Sequence, residues 1–328
     1  NEKGGVAGNT LHLVAMDDGY EPEKAGPNMH TLIDQQKVIA VVGNVGTPTA
    51  VVTVPIANDK KTLLFGSYTG AALLRKSPPD RYVVNYRASY AEETAVMIDG
   101  LLGKGIKPEE IAFFTQNDGY GDAGYQGAIA ALKSRGYQKA EQLAHGRYTR
   151  NTVNVEEGLG VIMDAKIEPK AIIMVGAYKP CAAFIKLTRS VLRNTKFLNV
   201  SFVGSVPLLK ELGNDAEGVV VTQVVPHFES DIPTVKEYRE AIVAGGQAAD
   251  FISLEGWLSA QIFVESLKRA GNPPSRESLI DAMEGLNALD IGLGVPLSFS
   301  KTEHQGSHKV WPTVVRGGKF VPLEWKDL

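Results

Sequence analysis

The stretch that decides the fold is residues 38–66, VIAVVGNVGTPTAVVTVPIANDKKTLLFG. The apolar run 38–43 predicts a short strand, and a turn containing two glycines leads from it into a predicted helix over 47–58. A second apolar run, 62–66, predicts the next strand. Two strands joined by a helix form a βαβ unit, which indicates a mostly parallel sheet covered by helices.

The same alternation continues on both sides of this unit. It predicts further strands at 11–16, 81–86, 111–115, 142–146, 171–175, 200–204 and 218–224. It predicts further helices at 21–36, 91–102, 122–134, 153–166, 181–192, near Pro207, and at 234–244, 254–270 and 275–284. Gly317-Gly318 predicts a hairpin turn in the tail.

The pattern restarts after the helix at 91–102, so the fold class predicted is α/β with two doubly wound lobes. The 328 residues suffice for two lobes that each bury a core. Because no long linker separates the blocks, we expect three short crossovers, near Tyr86, Val225 and Leu289. The predicted lobes are 1–87 plus 226–290 for lobe 1, and 88–225 plus 291–328 for lobe 2.

Composition argues against several classes of partner. The chain is 44% hydrophobic and 22% charged, as globular proteins are. The 34 Lys and Arg against 37 Asp and Glu give a net charge of −3, which offers no basic field for nucleic acid or anionic lipid. No apolar run approaches the ~20 residues of a membrane span. No signal-peptide pattern is visible at Asn1-Glu-Lys-Gly-Gly, although a processed export signal would leave none.

Motifs for catalysis, metal binding and nucleotide binding are absent from the sequence. Cys181 is the single cysteine, and the six histidines show no spacing typical of a metal site. No Gly-x-Ser-x-Gly elbow, dinucleotide fingerprint or P-loop lysine occurs. We therefore expect no metal, no cofactor and no enzymatic activity.

Two strand-to-helix turns carry the polar groups of a candidate site, Gly43-Asn-Val-Gly-Thr47-Pro-Thr49 and Phe65-Gly-Ser67-Tyr-Thr69-Gly70. Ligands of open α/β sheets bind at the carboxyl ends of strands, where backbone N–H groups and helix dipoles favour anions. The hydroxyls at these turns can complete a carboxylate cradle. The alternative is purely structural, with Thr47 or Thr49 as a helix N-cap.

Two further segments combine a structural role with a candidate functional one. Asn117-Asp-Gly-Tyr120-Gly-Asp122 is the corresponding turn of the second block, where Tyr120 can face the cleft between the lobes. Ser89, followed by acidic residues three and four positions later, predicts a helix cap. Tyr90 beside it is a second candidate for the mouth of that cleft.

Taken in order, these motifs resemble the type I periplasmic solute-binding proteins of the branched-chain amino acid (Leu/Ile/Val) group, which serve ABC uptake systems. The resemblance runs over almost the whole chain, and its ordered set of motifs is more specific than any one of them. The matching stretches are Asn1-Glu-Lys-Gly-Gly-Val-Ala-Gly8, Ala40-Val-Val-Gly-Asn-Val-Gly-Thr47, Leu63-Leu-Phe-Gly-Ser-Tyr-Thr69, Asn85-Tyr-Arg87, Gly119-Tyr-Gly121 and Gly218-Val-Val-Val-Thr-Gln223.

The resemblance implies a site in the cleft between the lobes. It gives the ligand carboxylate to Thr47, to Ser67 through its backbone, and to Thr69, and it gives Tyr120 a lining role. The candidate ligand-binding residues are Val45, Thr47, Ser67, Thr69, Tyr90, Tyr120, Tyr178, Ser205 and Glu255.

The chain departs from the family where amino-acid-binding members supply acids for the ligand ammonium. Ser89 and Tyr90, and later Ser205 and Val206, stand at those places. A buried ammonium without a carboxylate partner costs several kcal/mol. Either Glu93, Glu229 or Glu255 substitutes, or the ligand is an acid without an amine, such as a branched or aromatic keto acid.

Family architecture also implies a strand and helix before the first matching motif. The implied segment is about 30 to 40 residues long and contains a central strand, without which neighbouring backbone groups would go unpaired.

The function implied is that of an extracytoplasmic, monomeric solute-binding protein that closes on a small organic acid or amino acid. Its partner would be an ABC permease in the membrane, and its location the periplasm or another extracytoplasmic space. The alternative is the ligand-binding sensor domain of a membrane receptor, which a membrane span or kinase segment beyond Leu328 would indicate. An enzyme on the same fold is the third class, and turnover of a bound acid would reveal it.

Overall fold

The computed structural model describes residues 1 and 4–328 and contains two compact units. Unit 1 comprises Asn1–Arg87 and Phe228–His308, and unit 2 comprises Ala88–His227 and Lys309–Leu328. Glu2 and Lys3 of the N-terminal motif lie outside the described residues.

The helices and strands follow the alternation predicted from the sequence, with shifted ends. The helices are α1 Pro22–His30, α2 Thr47–Asp59, α3 Tyr90–Gly103, α4 Gly119–Ser134, α5 Glu156–Met163, α6 Tyr178–Arg189, α7 Ser205–Leu212, α8 Pro233–Ala244, α9 Phe251–Arg269 and α10 Arg276–Glu284. The strands are β1 Ala40–Val42, β2 Leu63–Phe65, β3 Val83–Val84, β4 Ile111–Gln116, β5 His145–Tyr148, β6 Ala171–Val175, β7 Lys196–Asn199, β8 Val220–Gln223, β9 Trp311–Arg316 and β10 Lys319–Pro322.

One domain boundary differs from the prediction. Residues 291–308, which the sequence predicts for the second lobe, belong to unit 1, so the chain leaves unit 1 after His308 rather than near Leu289. The reason is a ladder of backbone bonds beside β3. Asn85 N–H donates to the His304 carbonyl at 2.8 Å, and Ser307 N–H donates to the Tyr86 carbonyl at 2.8 Å.

Unit 1 contains a parallel sheet in the order β1-β2-β3. The prediction of a strand at 11–16 is wrong, because this segment has no regular structure and Leu13 is 92% exposed. A strand forms only where a neighbour pairs with its backbone groups. Within the described residues, neither this segment nor the outer edge of β1 has such a neighbour. The additional strand implied by family architecture stays a prediction.

Unit 2 contains a seven-stranded sheet in the order β10-β9-β8-β7-β6-β4-β5. The strands from β8 to β5 are parallel, and β4 pairs with both β5 and β6, so the strand order reverses there as in a doubly wound sheet. The hairpin at Gly317-Gly318 is confirmed, with φ of 58° and 75° at the two glycines between the antiparallel strands β9 and β10.

One predicted strand of unit 2 is displaced along the chain. The strand expected at 200–204 is instead β7, and the short 3-10 helix Ser201–Val203 follows it. Phe197 and Leu198 are the buried residues that pair with Ile172 and Ile173 of β6. Gly204 has φ 81° and ends the segment before α7.

The parallel strands of unit 2 form its core. Every residue of β4 and of β6 is buried. Strands buried on both faces are typical of parallel sheets covered by helices. Of the helices in residues 1 and 4–328, none has the length and apolar character that crossing a bilayer requires.

Candidate ligand-binding site

The two strand-to-helix turns of unit 1 are held side by side at the carboxyl ends of β1 and β2. Tyr68 N–H donates to the Asn44 carbonyl at 2.8 Å, and Gly46 N–H donates to the Tyr68 carbonyl at 3.1 Å. Gly46 has φ 100°, and a Cβ there would lie 2.1 Å from the ring of Tyr20. Only glycine fits this position, which directs the chain into α2 at Thr47.

We call three buried hydroxyl residues of the two turns, Thr47, Ser67 and Thr69, the hydroxyl cradle. The Oγ1 atoms of Thr47 and Thr69 lie 2.7 Å apart, and both side chains are buried. Thr69 Oγ1 also accepts from Ala71 N–H at 3.3 Å. The buried Ser67 Oγ has no hydrogen-bond partner among the described residues.

The capping interpretation of Thr47 and Thr49 is wrong. Gly46 occupies the N-cap position of α2, where the described part of the chain provides no side-chain cap. Thr49 Oγ1 bonds backwards to the Gly46 carbonyl at 3.0 Å and to the Val45 carbonyl. The Thr47 hydroxyl bonds across to the neighbouring turn instead, so it belongs to the cradle rather than to the helix end.

A buried ion pair packs against the ring of Tyr68 in the second turn. The guanidinium of Arg87 lies 4.7 Å from the ring centroid of Tyr68, the residue between Ser67 and Thr69. Its Nη1 lies 3.6 Å from Oε1 of Glu255 on α9, and both side chains are buried. Burial, with a smaller contribution from Glu255, raises the pKa of the Tyr86 phenol, which therefore stays protonated.

Arg75 ties the cradle to the segment through which the chain leaves unit 1. Its guanidinium donates to the carbonyls of Thr69 at 3.2 Å, Ala71 at 3.0 Å and Arg87 at 3.0 Å. It also donates to Gln305 Oε1 at 2.8 Å. Sequence reasoning missed Arg75, because a contact between residues 230 positions apart leaves no local pattern.

The remaining candidate residues of unit 1 differ in their exposure and contacts. Val45 is 46% exposed and contributes through its backbone bridge to Tyr68. Glu255 is buried in the ion pair with Arg87. Glu229, one of the acids proposed to substitute for the missing ammonium partner, is exposed.

Unit 2 places its candidates after three neighbouring parallel strands. Tyr120 follows β4, Tyr178 follows β6 and Ser205 follows β7. The ring of Tyr120 lies 5.3 Å from that of Tyr90 and 4.6 Å from that of Phe202, measured between centroids. Tyr90 and Tyr120 are fully buried, so within unit 2 they pack as an aromatic cluster rather than as surface side chains.

Two of these unit 2 candidates, Tyr120 and Ser205, have hydroxyls that are bonded within the unit. Tyr120 O–H donates to the Gly176 carbonyl at 3.3 Å, and Ser205 Oγ accepts from Gln223 Nε2 at 2.8 Å. The predicted cap at Ser89 is confirmed: Glu92 N–H donates to Ser89 Oγ at 3.2 Å, and the Glu92 carboxylate accepts from Ser89 N–H.

Glu93, the third acid proposed for an ammonium, serves unit 2 itself. Its carboxylate accepts from Ser201 N–H at 2.7 Å, Ser201 O–H at 2.9 Å and Thr222 O–H at 2.6 Å. Both oxygens are engaged, and the side chain is fully buried. This acid joins α3 to the ends of β7 and β8.

One groove of unit 2 lies away from the predicted site. Its volume is about 610 Å³, and Tyr125, His145 and Arg147 are among its lining residues. Burial, and secondarily the charge of Arg147, lowers the pKa of His145 to about 4. Across residues 1 and 4–328, no group of three His, Cys, Asp or Glu side chains is arranged to hold a metal ion.

This chain is similar to proteins of known family and structure. The family model described as periplasmic binding protein matches residues 1–319. A solved structure of a possible leucine/isoleucine/valine-binding protein from Rhodopirellula baltica is 50% identical with a TM-score of 0.94, covering 97% of this chain and 86% of that one. A substrate-binding periplasmic protein from Ralstonia solanacearum is 27% identical with a TM-score of 0.86, covering 98% and 91%.

A curated relative shows the same similarity at lower identity. The Leu/Ile/Val-binding protein of Escherichia coli K12 is 23% identical over 250 residues, 75% of this chain. The matched part spans 65% of that relative's length.

Proposed function

We propose that this chain, which belongs to the periplasmic binding protein family, binds a small organic acid outside the cytoplasm and delivers it to an ABC permease. The observation that carries the proposal is the buried pair of Thr47 and Thr69 hydroxyls, 2.7 Å apart, in the same two turns as the buried Ser67 hydroxyl, which lacks a partner among the described residues. Burying a hydroxyl without a hydrogen bond is costly, so this group needs a partner that a ligand or an ordered water supplies.

The chemistry of the hydroxyl cradle favours a carboxylate. When one hydroxyl of the Thr47–Thr69 pair donates to the other, one hydroxyl proton of the pair stays available to an external acceptor. Ser67 offers a second such proton. Thr47 is itself the first residue of α2, where unsatisfied N–H groups and the helix dipole attract negative charge. An acid with two oxygens can accept from both hydroxyls.

The relatives suggest the shape of the ligand. The one from Escherichia coli is named a Leu/Ile/Val-binding protein, and the one from Rhodopirellula baltica a possible leucine/isoleucine/valine-binding protein. We therefore propose a branched or aromatic acid, either an amino acid or its keto acid, bound without chemical change by a monomer. Tyr90, Tyr120, Tyr178 and Ser205 are proposed as contributions from unit 2.

The proposal is tested by identifying the ligand and then weakening the cradle. Mass spectrometry of copurifying molecules, followed by a thermal-shift screen of amino acids against their keto acids, identifies the ligand class. Thr69→Ala should weaken binding of the best acid by about 1 to 3 kcal/mol, because a hydrogen bond to a charged group is lost. Isothermal titration measures the change.

Thr62→Ala is the matched control. Thr62 is also a buried threonine of unit 1, but its hydroxyl donates to the Lys60 carbonyl at 3.0 Å, away from the cradle. We expect unchanged affinity for this variant. Equal affinity in wild type and Thr69→Ala would remove Thr69 from the site, and a screen in which no acid binds would refute the function.

A further inference from the structure

We infer that Arg75 is a positioning residue for the bound acid. By holding the backbone of the second turn, it sets the direction of the Thr69 hydroxyl, and it acts through that hydroxyl rather than by contacting the acid. The inference rests on the proposed function and adds to it a residue that lies outside the motifs of both turns in the sequence.

The chain after the second turn brings Arg75 back onto it. Ala72–Leu74 is a 3-10 helix, and Arg75 N–H donates to the Ala72 carbonyl at 2.8 Å. A 3-10 helix turns tightly, so the guanidinium returns to carbonyls only a few residues earlier. Nη1 of Arg75 donates to the Thr69 carbonyl at 3.2 Å and to the Ala71 carbonyl at 3.0 Å. A single nitrogen thus holds both residues of the turn.

The same two residues share the hydrogen bond that orients the Thr69 hydroxyl. Ala71 N–H donates to Thr69 Oγ1 at 3.3 Å, so the turn itself engages one lone pair of this oxygen. The oxygen also lies 2.7 Å from Thr47 Oγ1. If the Ala71 backbone moved relative to Thr69, the donor would leave the oxygen and the hydroxyl would be free to rotate. By fixing both carbonyls, Arg75 fixes the direction in which the hydroxyl is presented.

The rest of the guanidinium fastens the turn to two other segments of unit 1. Nη2 of Arg75 donates to the Arg87 carbonyl at 3.0 Å, and Nε donates to Gln305 Oε1 at 2.8 Å. These segments are also bonded to each other, because Gly306 N–H donates to the Asn85 carbonyl at 2.9 Å. Guanidinium bonds are charge-assisted and have a fixed planar geometry. A shift of the turn would therefore break strong bonds to both segments.

A second arginine of unit 1 makes the same kind of contacts at the opposite ends of the strands. Arg276 donates to the Val38 carbonyl at 2.8 Å through Nη2 and to the Lys60 carbonyl at 3.2 Å through Nη1. Val38 precedes β1 and Lys60 precedes β2, whereas the cradle follows these strands. Both arginines are half-buried. Arg276 is thus a matched arginine at the other end of the strands from the cradle.

Titration of variants of the two arginines tests the inference. We would titrate L-leucine, 4-methyl-2-oxopentanoate, L-phenylalanine and phenylpyruvate by calorimetry, and follow the acid that wild type binds most tightly. Arg75→Met removes every donor of the side chain. We expect it to weaken binding by at least about fivefold, but by no more than Thr69→Ala does. Arg276→Met loses a comparable set of carbonyl contacts, and we expect its affinity to stay within about twofold of wild type.

A double-mutant cycle distinguishes positioning from a general structural role. In a Thr69→Ala background no hydroxyl remains for Arg75 to direct, so adding Arg75→Met should weaken binding by less than about twofold more. Losses that multiply instead would show that Arg75 acts independently of Thr69 and would overturn the inference. Equal losses of affinity in Arg75→Met and Arg276→Met would overturn it as well.

Arg75→Lys separates the bonds of the guanidinium from its charge. It keeps the positive charge on a single nitrogen, which cannot reach all four acceptors, so we expect binding at least about threefold weaker than in wild type. Wild-type affinity in this variant would overturn the inference. Should Arg75→Met fail to fold, Arg75→Lys takes its place in the cycle with Thr69→Ala under the same criterion.

The outcomes separate the inference from the function beneath it. If wild type binds none of the four acids, the proposed function fails and the inference fails with it. If wild type binds an acid and Thr69→Ala binds it weakly, while Arg75→Met keeps wild-type affinity, the inference fails and the function stands.

Discussion

The two units use hydroxyl side chains at the ends of their parallel strands in opposite ways. In unit 1, Ser67 follows β2 and its buried hydroxyl has no partner among the described residues. In unit 2, Ser205 follows β7 and its buried hydroxyl accepts from Gln223 at 2.8 Å. The same residue type at the same kind of strand end thus lacks a partner among the described residues in one unit, where we propose that it meets the ligand, and takes part in the internal hydrogen bonding in the other.

The difference shows how to separate binding groups from stabilising groups in this chain. A polar side chain that is satisfied within its own unit contributes to folding, and its removal should lower stability. A buried polar side chain that is unsatisfied costs stability until a ligand arrives, and its removal should lower affinity. Substitutions for which both stability and affinity are measured therefore test this difference between the two units.

The largest effect is expected in unit 2, at Glu93. Glu93→Ala removes the acceptor of three hydrogen bonds and leaves the donors of Ser201 and Thr222 buried. Because bonds to a charged group contribute about 1.5 to 3 kcal/mol each and do not add fully, we expect the free energy of unfolding to fall by at least about 3 kcal/mol. Urea denaturation measures the change.

Glu141→Gln is the control for Glu93, since it removes a carboxylate of unit 2 that is 62% exposed and paired with Lys133. We expect a change below about 1 kcal/mol there. A similarly small loss in Glu93→Ala would mean that the satisfied groups of unit 2 do not stabilise it, and the contrast with unit 1 would fail.

A smaller, pH-dependent effect is expected at His145, also in unit 2. Its ring stacks on Tyr125 with centroids 4.0 Å apart, and its Nε2 lies 2.7 Å from Thr115 Oγ1. Its pKa is lowered from 6.5 to about 4, chiefly by burial, then by Arg147, against a raising effect of Asp122.

The sign of the pH dependence follows from that depressed pKa. Between pH 6.5 and 4 the unfolded chain binds a proton at His145 that the folded protein does not. The contribution of neutral His145 to the free energy of unfolding is therefore fully present above pH 6.5 and is lost as the pH falls toward 4. We expect a loss on the order of 1 to 2 kcal/mol, allowing for partial solvent exposure.

Comparison with His145→Gln isolates this contribution. The difference in unfolding free energy between wild type and variant, measured by denaturation at a series of pH values, should decrease from pH 7 to pH 4. A difference that stays constant over that range would show that His145 titrates normally in the folded protein.

Much of the fold was predictable because the βαβ pattern is local. The alternation of apolar runs with helical periodicity located nearly every helix and strand, and Gly317-Gly318 marked its hairpin. The strand predicted at 11–16 failed because its residues have strand composition but no described neighbour to pair with. Strand formation depends on a partner, which the composition of one segment cannot reveal.

The candidate site was predictable in part for the same reason. Two turns that follow adjacent parallel strands must meet at one sheet edge, so the proximity of Thr47 to Thr69 followed from topology. The partner of each buried acid did not follow from topology, because Glu93 and Glu255 interact with residues more than 100 positions away in the chain. Sequence alone lists the charged groups, whereas only the fold decides which charges neutralise each other.

The smallest effect on stability, and the most direct test of the comparison, is expected at Ser67. Ser67→Ala removes a buried hydroxyl that has no partner in the described chain, so the free energy of unfolding should stay unchanged or rise by up to about 1 kcal/mol. Affinity for the best acid should nevertheless fall. Ser205→Ala, in contrast, should lower the free energy of unfolding by about 1 kcal/mol, because Gln223 loses a hydrogen-bond acceptor.

Measured together, the two serines decide whether unit 1 holds the binding hydroxyl. Denaturation without ligand gives the stability of each variant, and titration calorimetry gives its affinity. A destabilised Ser67→Ala would mean that Ser67 bonds within the protein, and the hydroxyl cradle would lose the group on which its assignment rests. A stable Ser67→Ala that binds poorly would show that the unsatisfied hydroxyl is kept for the ligand.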